Sequence, residues 1–279
     1  MNKTRVTLTV LALAGVLVSS LAEATPSEDQ ALFRSYFKHR FPQVPDDDFK
    51  NGAYALDPAG RENWEAIEEF PPYEAAIDNG RKLWETPFAN GKTYADCLPD
   101  GPAIAGKYPR WDKERGMVVT VQLLLNECRE ANGEKPYGWF MGPLAEIDAY
   151  IAFESRGQVI NVEIPTDDPR ALAAYEKGKQ FYFARRGQFN FSCASCHMGN
   201  SGTTLRTEIL SPALGHTTHF PVYRSKWGEI ATLHRRYKGC NEQVRAKAFK
   251  GQSEEYRNLE YFMRYMDNGQ ELNGPGARK

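Results

Sequence analysis

The residues best equipped for chemistry lie together in Phe191-Ser192-Cys193-Ala194-Ser195-Cys196-His197-Met198. Two thiols with two residues between them and a histidine directly after form the C-x-x-C-H attachment signature of a c-type haem. The thiols add to the two vinyl groups, and the histidine is delivered to one face of the iron. Two other chemistries use paired cysteines. A zinc half-site needs two further Cys or His ligands at short spacing, and a dithiol redox pair has no use for the histidine that follows. The reading is one covalently bound haem c, held by Cys193 and Cys196 and ligated by His197.

Haem attachment calls for export, and the start of the chain supplies an export signal. Lys3 and Arg5 precede an apolar run from Val6 to Leu21, which ends in Ala22-Glu23-Ala24 before Thr25-Pro26. That is a basic n-region, an h-region and an A-x-A cleavage site, so residues 1–24 read as a secretory signal peptide and the mature chain as periplasmic. A retained anchor is the competing reading; the run is short for a spanning helix, and charge interrupts every later stretch. Without residues 1–24, 255 of the 279 residues remain, enough for one large domain or two small ones. Losing Lys3, Arg5 and Glu23 turns 35 basic and 36 acidic side chains into 33 and 35, a balance that suggests no affinity for nucleic acid or membrane.

The positioning elements repeat. Tyr73-Glu-Ala-Ala-Ile-Asp-Asn-Gly80-Arg-Lys-Leu-Trp84 lines up with Ala171-Leu-Ala-Ala-Tyr-Glu-Lys-Gly178-Lys-Gln-Phe-Tyr182, each after prolines (Pro71-Pro72, Pro169) as a helix start should be. A mid-helix glycine is unfavourable by about 1 kcal/mol, so its presence in both predicts close helix crossings. Helices from Ala145 to Gly157 and from Asn258 to Gly269 form a second matching pair, each closed by its glycine. Gly80 to Cys97 is 17 residues and Gly178 to Cys196 is 18, while Cys128 to Gly157 and Cys240 to Gly269 are both 29. Tyr94-Ala-Asp-Cys97-Leu98 thus stands where Cys193-Ala-Ser-Cys196-His197 stands, and Cys128 is the counterpart of Cys240.

The expected fold is all-α, two tandem cytochrome-c-like domains: residues 25–165, with a degenerate haem-free site, and residues 166–279, with the haem. Chance similarity between helical segments is the alternative. Gln158 to Asp168 reads as the strap between the halves, and Glu28 to Pro72 as a lead-in of short helices without chemistry of its own. With no haem between them, Cys97 and Cys128 can close a disulfide buried in the first domain, which leaves Cys240 over.

Cys240 is also the strongest candidate for the second axial position. Met198 adjoins His197 and cannot reach round the ring; Met263 and Met266, three apart on the last helix, suit core packing; His216 and His219 lie in a Pro-rich loop. Ser225 to Lys238 reads as a helix with Trp227, Ile230, Ala231 and His234 on one face, stopped by Gly239, so that Cys240 follows a basic last turn. Arg236, four residues before Cys240, can lower its thiol pKa and offer a fork to an oxyanion.

Taken with the Phe-x-Cys-x-x-Cys-His attachment and the empty first half, the stretch His234-Arg235-Arg236-Tyr237-Lys238-Gly239-Cys240 resembles the SoxA family, in its mono-haem form. SoxA is the larger subunit of the SoxAX cytochrome of the periplasmic sulfur-oxidation system. The resemblance implies an L-cysteine S-thiosulfotransferase that pairs with a small c-type cytochrome, SoxX, as a heterodimer. Its substrates would be thiosulfate and a cysteine of the carrier protein SoxYZ, and the product a cysteine S-thiosulfonate. It further implies that Cys240 is an axial ligand, a persulfide and the catalytic nucleophile, and that Arg236 binds substrate. The reading from a different class is a non-catalytic electron-transfer cytochrome with Cys240 an incidental thiol.

Overall fold

The computed structural model describes residues 24–278, so the export signal read at residues 1–24 lies outside the described residues but for Ala24. Helix α1 (Pro26–Arg40) opens on a capping box: the Thr25 hydroxyl accepts from the Glu28 amide, and the Glu28 carboxylate accepts from the Thr25 amide. Short 3-10 turns (Asp46–Ala55) and α2 (Pro58–Glu68) complete the lead-in. The first half continues with α3 (Glu74–Glu85), the single turn α4 (Tyr94–Cys97), a hairpin of β1 (Arg110–Asp112) and β2 (Met117–Val119), then α5 (Val121–Ala131) and α6 (Pro143–Glu154). The second half follows with α7 (Pro169–Phe183), a π-helical turn (Ser195–Gly199) and the two-residue strands β3 (Thr204–Leu205) and β4 (Glu208–Ile209). It ends with β5 (Val222–Arg224), β6 (Glu229–Ala231), α8 (Leu233–Gln243), α9 (Glu254–Met266) and β7 (Gly276–Arg278).

Two helix pairs form the frame, α3 on α6 and α7 on α9. Both cross at a glycine for the same reason. A Cβ on Gly80 would stand 2.0 Å from the Glu146 carbonyl oxygen, and one on Gly178 would stand 2.0 Å from that of Asn258. Only glycine lets these backbones meet. Trp84 and Tyr182, one turn further on, are both buried at the crossings. The segments that leave α6 and α9 then pair with each other about a local two-fold. The Gly157 amide donates to Leu272 O and that of Gly269 to Ile160 O; those of Ile160 and Leu272 donate to Gln270 O and Gln158 O. The strap is thereby bound to the second half, with Ile160 and Val162 buried.

The chain is helix-rich but not all-α. Among the described residues β1–β2 and β3–β4 form two-stranded antiparallel ribbons, and β6-β5-β7 form a mixed three-stranded sheet. The sheet replaces the first part of the helix expected over Ser225–Lys238. That stretch carries apolar residues at helical spacing, yet β5 pairs in parallel with the C-terminal β7, and the chain turns back through Gly228 into β6. Tertiary pairing overrides local periodicity here. Helix α8 therefore begins after Thr232, and Gly239 and Cys240 lie inside it rather than beyond its end.

No helix among the described residues is long and apolar enough to cross a membrane. The halves share one hydrophobic core. Thr232 ties α8 to the first half, its amide donating to Phe140 O and its hydroxyl to Trp139 O. Arg278 of β7 lies over the rings of Tyr54 and Trp64, at 5.0 and 5.2 Å from their centroids.

Candidate functional site

The attachment segment is folded by two serines. Ser192 Oγ accepts from the Ser195 amide at 3.0 Å while Ser195 Oγ accepts from the Ser192 amide at 3.1 Å. This reciprocal clasp starts the turn, and the spacing of Cys193 and Cys196 then puts both thiols on one side of it. Both are free and half-buried. The preceding loop is pinched shut by mutual backbone hydrogen bonds between Arg186 and Phe191.

His197 is buried and has its ring held from behind. Nδ1–H donates to Ser211 O at 3.0 Å, with Ser211 Oγ at 3.2 Å, which leaves Nε2 available as a ligand. Burial lowers its pKa to about 4, so the imidazole is neutral at physiological pH. The lead-in grips the chain just beyond. Tyr36 OH donates to Met198 O at 3.0 Å, and Arg40 Nη2 donates to Gly199 O at 3.1 Å and Ser201 O at 3.0 Å. Helix α1 thus positions the site, a role the sequence reading missed. Its i, i+4 spacing shows that Tyr36 and Arg40 share a face, but not what that face meets.

Helix α8 carries Arg236 and Cys240. Burial, and after it the charge of Cys240, pushes the Cys193 thiol up to about 12 and raises that of Cys196, so Cys240 lies within electrostatic range of both thiols. The field of Arg236 reaches Cys196, His197 and His216. An open cleft of about 680 Å³ lies on the Arg186 side, lined also by Phe181, Arg245 and Phe249. The structure brings together Cys193, Cys196, His197, Arg236 and Cys240.

The other axial candidates are placed elsewhere. The His216 ring packs 4.3 Å from that of His197, on the histidine's own side of any group the histidine ligates. His219 is buried against Phe220 and the Gly52 turn. Met263 Sδ accepts from Tyr237 OH at 3.2 Å, Met266 is buried in the core, and Met198 continues the attachment turn.

Arg224, at the end of β5, lies within electrostatic range of Arg236 and Cys240, and sequence reading did not single it out. Its side chain is 15% exposed, its Nη2 donates to both carboxylate oxygens of Glu208 at 3.2 Å, and it lies 5.6 Å from the Trp227 ring centroid. Nothing periodic marks it, because strand pairing with β6 and β7 alone carries it to the site.

The residues of the second half fit a haem, and those of the first do not. Between α7 and α8 there are two unbonded thiols, a histidine with a free Nε2, and buried Tyr182 OH and His216 Nδ1 without hydrogen-bond partners. At the matching place in the first half Tyr94 is stacked on Trp84 at 5.7 Å and meets Phe88 edge-on at 5.0 Å. Cys97 and Cys128 are bonded to each other there. Rings and disulfide fill the space. The disulfide is not wholly buried as expected: Cys128 is buried, but Cys97, on the single turn α4, is exposed.

Comparison with known proteins gives a consistent result. The family model described as SoxA/TsdA, cytochrome c domain, matches residues 79–160, the half without C-x-x-C-H. The chain is 69% identical to the L-cysteine S-thiosulfotransferase subunit SoxA of Allochromatium vinosum, over 97% of this chain and 96% of that one. Its identity to the subunit of the same name from Chlorobaculum tepidum is 53%, over 92% of this chain and 89% of that one. The crystal structure of SoxXA from P. pantotrophus matches with a TM-score of 0.71 at 29% identity, covering 78% of this chain and 84% of that chain.

Proposed function

The chain belongs to the SoxA family, and from that premise we propose that it is the SoxA subunit of a periplasmic L-cysteine S-thiosulfotransferase. Its partner would be a small c-type cytochrome, SoxX, in a heterodimer, and its acceptor a cysteine of the carrier SoxYZ. Membership brings a covalently bound c-type haem. Cys193 and Cys196 would hold it, with His197 and Cys240 as axial residues, and bound there it supplies a one-electron acceptor beside Cys240. The carrying observation is the position of Cys240, within electrostatic range of both Cys193 and Cys196 and with Arg236 one turn before it on the same helix.

The reaction joins thiosulfate to the carrier thiol: R–SH + S–SO₃²⁻ → R–S–S–SO₃⁻ + H⁺ + 2 e⁻, the electrons passing to the partner cytochrome. The chain's residues divide the work. Arg236 neutralises and orients the dianion with a planar fork. The Cys240 sulfur accepts the outer sulfur of thiosulfate with loss of two electrons, and the carrier thiolate then attacks that sulfur, taking the S–SO₃⁻ group and releasing Cys240. One difficult coupling becomes two easier steps.

The boundaries at residues 1–24, 25–165 and 166–279, and descent of both halves from a cytochrome-c-like domain, belong to the same reading. The matched glycine crossings and the local two-fold between Gly157 and Gly269 support them. So does a family match that falls on the haem-free half. The test is turnover with thiosulfate, the small cytochrome and the carrier, read by the carrier's mass. A thiosulfonate adduct that needs both this chain and its cytochrome partner is expected. A haem that cycles with artificial donors while the carrier stays unmodified would overturn the assignment in favour of simple electron transfer.

A further inference from the structure

A dianion that reacts at Cys240 needs more positive charge than one guanidinium supplies, and a second one is present. Arg224 ends β5, in register with Glu229 of β6, the strand that runs through Ala231 into α8 with Arg236 and Cys240. Its guanidinium is mostly withdrawn from solvent and lies within charge–charge range of both Arg236 and Cys240. Arg235 approaches the same Trp227 ring, at 5.0 Å from its centroid, so the indole fixes the direction of approach of α8 to the Arg224 strand.

Two like charges within electrostatic range of Cys240 oppose each other. Burial first, and the charge of Arg236 second, lower the pKa of Arg224. Among the described residues one carboxylate, Glu208, pairs with Arg224. Its two contacts are long for charge-assisted hydrogen bonds, and it stands 45% exposed on the β3–β4 ribbon. Thiosulfate carries two charges and three oxygen acceptors on its sulfonate end. A dianion held by Arg224 and Arg236 would neutralise both guanidiniums at once within reach of Cys240, with Glu208 released to water.

We propose that Arg224 is a second substrate-binding residue, gripping the sulfonate end of thiosulfate opposite Arg236, with Glu208 as the counter-ion that substrate displaces. The inference rests on the thiosulfotransferase reading, and its test separates the two. The protein is used with its haem and its cytochrome partner, as the parent and as Arg224→Gln, Arg224→Lys, Glu208→Gln and Arg236→Lys.

Losing a charge-assisted grip in Arg224→Gln raises KM for thiosulfate about tenfold or more, with kcat within about twofold. Arg224→Lys recovers part of the loss. Glu208→Gln lowers KM, because the competing carboxylate is gone. Sulfate, a non-reacting dianion, serves as a calorimetric probe that needs no turnover, and its affinity moves in the same directions. Haem content and visible spectrum stay at parent values in the Arg224 and Glu208 variants. Where Arg224→Gln fails to fold, Glu208→Gln still decides, since a merely structural ion pair would make its KM rise. Unchanged KM and sulfate affinity in the Arg224 variants, beside a raised KM in Arg236→Lys, would overturn this inference alone. Absence of thiosulfate turnover in the parent, with sulfate binding still weakened by Arg224→Gln, would overturn the functional reading and keep the anion site.

Discussion

Cys240 carries two demands at once in the proposed function, since the sulfur proposed as an axial residue is also the one asked to hold the transferred group. Replacing it separates them. Cys240→Met keeps Cys193, Cys196 and His197, so covalent haem is retained, while a thioether raises the reduction potential and cannot accept sulfur. The expected result is a normal haem stain, a more positive midpoint potential in a redox titration and no carrier adduct. Transfer at the parent rate in Cys240→Met would end the nucleophile assignment. Arg236→Lys keeps a positive charge but offers a point where a fork was needed. Its spectrum should match the parent while KM for thiosulfate rises. The grouping of Cys193, Cys196 and His197 on one turn was legible in the sequence, because C-x-x-C-H is a local device whose spacing is its geometry. Cys240 stood out in the sequence through the matched spacings Cys128–Gly157 and Cys240–Gly269 and through the basic turn with Arg236 before it. Arg224 was not legible, because its place depends on strands far apart in the chain.

Among the elements, the helix crossings were visible beforehand and the sheet was not. A glycine at the same offset in two amphipathic helices has few reasons to be there other than close approach, and both crossings have it. The helix expected from Ser225 failed because amphipathic spacing over so few residues is compatible with strand, turn and helix start alike. Only the distant β7 decides among them. The crossings carry a sharp prediction. Ala in place of Gly178 gains about 1 kcal/mol of helix propensity. It also drives a methyl to 2.0 Å from the Asn258 carbonyl oxygen, which rotamer change cannot relieve. Overpacking of that kind costs about 3 kcal/mol or more, so the clash wins. Gly178→Ala should unfold at markedly lower urea, and Gly80→Ala, against Glu146 O, should do the same. An unchanged midpoint in either would mean that the helices separate freely. The disulfide is a second element-scale test. Bridging Cys97 and Cys128, 31 apart in sequence, contributes about 3 to 4 kcal/mol by loop closure. Serine at both should lower the melting temperature and leave haem content unchanged.

At the scale of the whole molecule, the two halves meet over buried polar groups as well as over apolar core. Asp148 of α6 accepts from Gln122 Nε2 of α5 at 2.8 Å, and across the junction it faces Glu260 and Arg264 of α9. A small enclosed cavity is lined by these four residues together with Tyr108, Phe220 and Leu233. Burial, the largest cause, raises the pKa of Asp148 to about 7, and the charge of Glu260 adds to it. The direction of the linkage follows. Between the ordinary Asp value of 3.8 and about 7 the folded protein holds a proton that the unfolded chain has released. Stability therefore falls as pH rises through that window, by at most about 1.4 kcal/mol per pH unit from this group, and levels off above it. Asp148→Asn keeps an oxygen to accept from Gln122 and removes the titration. Urea unfolding of parent and variant at pH 5, 6.5 and 8 should show the difference between them shifting steadily in the variant's favour as pH rises. A difference that stays constant across the three would mean that Asp148 is ionised throughout and that the junction already compensates its charge.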